Sequence, residues 1–170
     1  MAKNIVLVGF MGTGKSVTGQ IVARRLHRDF IDMDHLIEER AGKKISEIFA
    51  DEGEAHFRAL ERALVQELAE RENLVIATGG GVVLNPDNIA DFSRTGTVIC
   101  LHADPEIILR RVVKDQHRPL LEGDDDKANK IRELLAKREA LYKSIPLQID
   151  TDDHTATDTA EEVIALTSLR

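Results

Sequence analysis

Four apolar residues, Ile5-Val6-Leu7-Val8, run directly into Gly9-Phe10-Met11-Gly12-Thr13-Gly14-Lys15-Ser16, which fills the pattern G-x-x-x-x-G-K-[ST]. The context constrains the fold more than the pattern does. A buried strand that feeds a glycine-rich turn and then a helix gathers several backbone N–H groups around one concavity, with the helix dipole behind it. The next residues supply that helix, because Val17, Ile21, Val22 and Leu26 recur at helical spacing through 15–26. In such an arrangement Lys15 reaches terminal phosphates and the Ser16 hydroxyl ligates Mg²⁺. A glycine-rich surface hairpin is the alternative, but it gives no use to a lysine and a hydroxyl placed right after the glycines. The expected ligand is a nucleoside triphosphate.

At 170 residues the chain can bury a real core but is short for two ordinary domains. A net charge of −7 argues against a nucleic-acid backbone as the main partner, which needs an excess of basic surface. The single cysteine, Cys100, lies in the apolar run Val98-Ile99-Cys100-Leu101 and reads as a small core residue. One thiol forms no internal disulfide, in keeping with a reducing cytoplasm. Met1-Ala2-Lys3-Asn4 leads straight into the first strand, so no secretory signal is expected. No apolar run approaches the length of a membrane span.

Short apolar runs alternate with longer amphipathic stretches. Strands are predicted over 5–8, 29–31, 74–77, 98–101 and 147–149. Helices are predicted over 15–26, 34–40, 45–49, 52–71, 86–92, 105–114, 126–142 and 159–169. Asp104-Pro105-Glu106 combines an N-cap, a first-turn proline and an early carboxylate. Strands apolar throughout and separated by helices imply a parallel sheet covered on both faces. Ligands then sit beyond the carboxyl ends of the strands.

Three groups of residues are chemically conspicuous. Asp32 and Asp34 follow the second apolar run, and at i and i+2 they point the same way. Asp32 suits Mg²⁺ held through its waters. Asp34 suits a substrate hydroxyl that it orients or deprotonates, the bland alternative being a cap on the helix that follows. Thr78-Gly79-Gly80-Gly81 follows the third run, and three glycines carry an entropic cost that a mere turn rarely requires. They read as a substrate platform. Arg58, Arg118 and Arg138 are the third group. Arg118-Pro119 opens a polar stretch, 122–127, with the composition of a mobile lid, and a lid arginine closing over phosphate stabilises its transfer. Phe49 and Phe57 are two of only five phenylalanines and read as pocket or core wall.

The phosphate loop, Asp32-Met33-Asp34, Phe57-Arg58 with Glu61, Gly79-Gly80-Gly81, Arg118-Pro119-Leu120 and the stretch from Arg138 to Tyr142 together resemble shikimate kinases, in that family's order and over the whole chain. The first motif is common to P-loop kinases; the combination is specific. The resemblance implies an α/β, three-layer P-loop NTPase fold of the nucleoside-monophosphate-kinase-like type. It has a five-stranded parallel sheet flanked by helices, a substrate-binding segment near 33–61 and a lid near 112–126, in one domain over 1–170. It implies a monomeric cytoplasmic enzyme, without nucleic-acid or membrane partners, that moves the ATP γ-phosphoryl group to the 3-hydroxyl of shikimate on the route to chorismate. Carried across, Asp34, Arg58, Gly80 and Arg138, with Gly79 and Gly81, bind shikimate. Gly12, Thr13, Gly14, Lys15, Ser16 and Val17 hold the ATP phosphates. Ser16 binds Mg²⁺ directly and Asp32 through water, Arg118 acts from the lid, and Arg111 lies over adenine. Lys15, Asp34 and Arg118 form the catalytic set. The chemistry agrees, since planar guanidinium groups suit a ring carboxylate and phosphoryl transfer asks for positioning and charge neutralisation.

Two features depart from the family pattern. Val17 stands where a second hydroxyl is common, and Thr151-Asp152-Asp153-His154-Thr155 is acidic where basic residues often flank adenine. Loose base selectivity is the expectation from the second. A GTPase needs N-K-x-D, but the only Asn-Lys is Asn129-Lys130-Ile131-Arg132, and no D-x-x-G follows the phosphate loop. A non-catalytic nucleotide-binding regulator has no need of Lys15, Ser16, Asp34 and Arg118 together. A kinase of another polyol, such as gluconate, uses the same residue types and is separated only by the family pattern.

Overall fold

The computed structural model describes residues 3–113 and 124–169. Five strands, β1 (Asn4–Val8), β2 (Asp29–Asp32), β3 (Leu74–Ala77), β4 (Gly96–His102) and β5 (Leu147–Asp150), form one sheet in the order β2-β3-β1-β4-β5. All pairings are parallel. Among the described residues eight helices alternate with them: α1 (Lys15–Leu26), α2 (Met33–Ala41), α3 (Ile45–Glu52), α4 (Glu54–Ala69), α5 (Pro86–Thr95), α6 (Pro105–Val113), α7 (Asp124–Lys143) and α8 (Ala156–Ser168), with a short 3₁₀ turn at Val82–Leu84.

The strands are apolar throughout because both sheet faces are covered. Alternate side chains of β1 divide between the two layers. Ile5 and Leu7 pack with Val22 and Ala23 of α1 and with Ala160 and Val163 of α8. Val6 and Val8 join Phe57, Leu64, Val65 and Leu68 of α4, Phe92 of α5 and Ile108 of α6. Cys100 is buried in that second layer, as expected, and burial pushes its thiol up to about 11.

Element boundaries differ from the sequence expectation in several places. β4 starts at Gly96, two residues before the apolar run, because Gly96 pairs with Asn4. Asn4 is itself buried: its Nδ2 donates to Leu68 O and Arg71 O, and its Oδ1 accepts from Leu74 N. It fastens the end of α4 to the start of β3. Glu52 ends α3 rather than opening α4, since Gly53 at φ 87°, ψ 165° breaks the helix between them. α8 begins at Ala156, three residues earlier than its apolar pattern, through a capping box between Thr155 and Asp158. Val17 does not belong to the buried stripe of α1. It is 55 % exposed, and Thr18, Gly19, Val22 and Ala23 form the buried face instead.

The carboxyl ends of β1, β2 and β3 lead into the phosphate loop, the Asp32–Asp34 turn and the glycine run respectively. Parallel strands point these three connections the same way, which is where an open α/β sheet places its ligands.

Candidate active site

The phosphate loop wraps the start of α1. Gly12 and Gly14 have φ of 79° and 87°, a left-handed conformation that favours glycine. Thr13 is buried, and its hydroxyl donates to Phe10 O at 2.7 Å, which closes the loop on itself. The Lys15 ammonium donates to Gly9 O and Phe10 O at 2.5 and 3.0 Å, which holds it over the loop mouth.

Ser16 and Asp32 meet across the gap between α1 and β2. The Ser16 hydroxyl donates to Asp32 Oδ2 at 2.5 Å, while Asp32 Oδ1 accepts from His35 N and so caps α2. The capping role considered for Asp34 therefore falls to Asp32, and the Asp34 carboxyl is released for other use. It lies against the glycine run: a Cβ on Gly79 would stand 2.6 Å from Asp34 Oδ1 and 3.2 Å from Glu61 Oε2. Burial holds the Asp34 carboxyl above the ordinary aspartate range. Lys15 opposes the rise, Asp32 and Glu38 add to it, and Arg58 opposes it again.

Arg58 projects from α4 onto the far end of the same run. Its Nη1 donates to Glu61 Oε1 at 3.1 Å and its Nη2 to Glu54 Oε1 at 3.4 Å, with the guanidinium 5.2 Å from the Phe57 ring centre. Phe57 is buried and Phe49 packs on it at 5.1 Å between ring centres, so this pair walls the region. Glu61 is only 2 % exposed. Burial raises its pKa, opposed by the charge and hydrogen bond of Arg58, reinforced by Asp34 and opposed again by Arg138.

Arg138 reaches the middle of the run from α7. A Cβ on Gly80 would lie 3.7 Å from Arg138 Nη1 and 3.8 Å from Met11 N, so guanidinium, platform and phosphate loop adjoin one another. Asp34, Arg58 and Arg138 thus converge on Gly79–Gly81 from three helices, beside the loop that carries Lys15. The glycines themselves need explanation. None of the three has positive φ. What they supply is room, since side chains at 79 and 81 would occupy the space of Asp34 and Arg58.

Arg111, on α6, donates to Gly12 O at 3.1 Å and to the hydroxyl and carbonyl oxygens of Thr151 at 3.0 and 2.6 Å. Its edge ties the phosphate loop to the residue following β5. In the acidic stretch, Asp152 Oδ1 accepts from Asp104 N at 2.7 Å and the His154 ring stands 2.5 Å from Glu162. Both side chains are engaged within their own surroundings. Arg118 and most of the lid segment lie outside the described residues.

Sequence reasoning gave no role to Glu61 or Tyr142. The i, i+3 spacing of Arg58 and Glu61 is a signal for the first; for the second, the chain's only tyrosine stands one turn after Arg138. Among the described residues no group of three or more His, Cys, Asp or Glu side chains could hold a metal, and no helix is long and apolar enough to cross a membrane.

Comparison with known proteins extends this geometry. The family model for shikimate kinase matches residues 11–167. A shikimate kinase of Caldanaerobacter subterraneus subsp. tengcongensis is 51 % identical over 162 residues, covering 95 % of this chain and 94 % of the relative. The structure of the Acinetobacter baumannii shikimate kinase in complex with shikimate superposes with a TM-score of 0.91 at 38 % identity, covering 99 % of this chain and 94 % of that one. A gluconokinase from Sinorhizobium meliloti shares the fold alone, with a TM-score of 0.62 at 16 % identity, 98 % of this chain and 92 % of that one being covered. A match across nearly the whole length, with half the residues identical in a relative, makes this chain a member of the shikimate kinase family.

Proposed function

We propose that the chain transfers the γ-phosphoryl group of ATP to the 3-hydroxyl of shikimate, yielding shikimate 3-phosphate and ADP on the route to chorismate and the aromatic amino acids. The observation that carries this reading is the convergence of two guanidinium groups and one half-buried carboxyl on Gly79–Gly81, next to the phosphate loop. Arg58 and Arg138 take the ring carboxylate, a planar anion that suits their forks. Asp34 and the backbone of Gly79, Gly80 and Gly81 take the ring hydroxyls. This orients the acceptor oxygen toward the phosphate held by Lys15 and the N–H groups of residues 12–17. That oxygen attacks the γ-phosphorus, the bond to the β-phosphate oxygen breaks, and the hydroxyl proton passes to Asp34. The burial that raises the Asp34 pKa makes it a better acceptor of that proton.

The oxygen-only pair of Ser16 and Asp32, 2.5 Å apart at the loop, suits a hard cation that keeps most of its waters. Ser16 would hold Mg²⁺ directly and Asp32 through water; when bound, the ion neutralises phosphate charge. Arg118 would act from a lid near 112–126, residues near 33–61 would form the acceptor-binding segment, and Arg111 would lie by the adenine. The working state is a cytoplasmic monomer.

A coupled ADP-release assay with shikimate, with gluconate and without acceptor tests the reading. Rapid release is expected with shikimate alone. Comparable release with gluconate, or none with shikimate, overturns it.

A further inference from the structure

We propose that Tyr142 is a positioning residue for the acceptor, its hydroxyl setting the distance between the Gly80 backbone and the Arg138 guanidinium. The Tyr142 hydroxyl donates to Gly80 O at 2.5 Å, across 62 residues of chain. Its ring is buried in the layer that also holds Ile145 and Ile131, so the phenol cannot swing away without losing that packing. Arg138 precedes it by one helical turn and shares its face of α7. The Arg138 guanidinium acts on the same phenol: burial pushes the Tyr142 pKa up to about 12, and Arg138 opposes that rise by charge and hydrogen bonding. A Cβ on Gly80 would lie 3.7 Å from Arg138 Nη1, so the guanidinium stands beside the platform with room for about one methyl between them.

Nothing else named at the site performs this task. Arg58 is fixed by Glu61 and Glu54 on its own helix, so its position follows from α4 alone. Arg138 comes from a different helix than either Arg58 or the platform, and α7 must be pinned to the glycine run for the two guanidinium groups to share one carboxylate. Tyr142 makes that link through the Gly80 carbonyl, and the Gly80 N–H takes no part in it. Without the hydroxyl, α7 keeps its core contacts but loses its register on Gly80. The loss falls on acceptor binding rather than on the phosphate loop, and it weakens ground state and transition state alike.

This inference rests on the proposed phosphoryl transfer to shikimate. The test compares the full chain with Tyr142→Phe, which keeps the ring and removes only the hydroxyl. The shikimate KM is expected to rise about tenfold, the effect of losing one well-placed hydrogen bond, with kcat and the ATP KM within about twofold. A shikimate KM within about twofold of the unmodified value, or an equal rise in the ATP KM, overturns the inference. If the Phe variant fails to fold, the unmodified protein carries the test. It has one tyrosine and no tryptophan, so its near-UV tyrosine band reports Tyr142 alone. A band shift that saturates with added shikimate supports the inference, and a band unmoved at saturating shikimate overturns it. Absence of shikimate turnover by the unmodified protein refutes the proposed reaction instead; normal turnover with an unaltered Phe variant refutes only the role of Tyr142.

Discussion

Replacing Gly81 by alanine is expected to weaken the handling of shikimate while sparing nucleotide binding. The backbone tolerates the change, because φ at Gly81 is −93°, ordinary for any residue. Space is what fails. The new methyl would stand 2.5 Å from Arg58 Nη2 and 2.7 Å from Cζ, whereas unbonded heavy atoms settle near about 3.5–4.0 Å. The guanidinium must therefore withdraw by roughly 1 Å, and the cavity of about 210 Å³ bounded by Glu54, Arg58, Glu61, Gly81, Leu84, Asn85 and Asn88 gives it somewhere to go. Withdrawal breaks the 3.1 Å bond to Glu61, whose side chain is almost fully buried. Leaving that carboxyl without its donor costs about 1–3 kcal/mol, which lowers Tm by about 2–4 °C per kcal/mol for a chain of this size. A misplacement of about 1 Å in a positioning group costs on the order of 10²-fold in rate. The expected result is a fall of about that size in kcat/KM for shikimate, measured by coupled ADP release, with the Kd of a fluorescent ATP analogue unchanged. A kcat/KM within about threefold of the unmodified protein refutes the reasoning. Gly80→Ala is the internal control. Its methyl would meet Arg138 Nη1 and Met11 N at 3.7 and 3.8 Å, ordinary contact distances, so the protein has room for it. Any loss of shikimate binding in that variant reports crowding of the ligand itself.

Three further perturbations probe other parts of the molecule. Asp34→Asn is expected to reduce kcat by on the order of 10²–10⁴-fold while sparing ATP binding, and retained turnover removes Asp34 from the mechanism. The same variant is expected to melt higher at neutral pH. A carboxyl whose folded pKa is raised binds its proton more tightly in the fold, so ionisation at higher pH destabilises the native state; the advantage of Asn fades as pH falls through that pKa. Thermal melts from neutral to acid pH check the sign, and the acid limb of kcat/KM is expected above the ordinary aspartate range. Arg111→Met removes the hydrogen bonds to Gly12 and Thr151 and is expected to raise the ATP KM about tenfold with little effect on the shikimate KM, as steady-state kinetics with each substrate varied will show. Asn4→Ala leaves Leu74 N and two helix-end carbonyls without their side-chain partner. Urea unfolding is expected to show a loss of about 2–4 kcal/mol with kcat and both KM values unchanged.

What could be read from the residues and what could not divide along a physical line. β1, β3 and the centre of β4 are legible because being covered on two faces makes them apolar at every position, a property each segment carries by itself. The placing of Asp32, Asp34 and the glycine run at strand ends is legible for the same reason, since parallel strands send their carboxyl ends one way. The room that Gly79 and Gly81 supply is not. As sequence the three glycines read as a substrate platform; in the fold Gly79 and Gly81 also leave the space that Asp34 and Arg58 occupy. That role depends on α2 and α4 packing against the loop after β3, a contact no local pattern encodes. Val17 shows the converse, an apolar residue at helical spacing that faces solvent because the sheet lies under Thr18 and Val22. The hydroxyl of Tyr142 belongs with the glycines: its spacing from Arg138 is visible in the chain, but its partner is 62 residues away. The functional consequence follows from the energetics of burial. Asp34 is a half-buried and Glu61 a buried carboxyl held near each other, with raised pKa values, so the fold bears an electrostatic cost around Gly79 that Lys15 and two arginines only partly offset. Under the proposed function, hydroxyls of the acceptor donate to the Asp34 carboxyl and its carboxylate pairs with the two guanidinium groups. Asp34 is thus costly to the fold and required by the proposed chemistry, which is why neutralising it is expected to stabilise the protein and disable it in the same step.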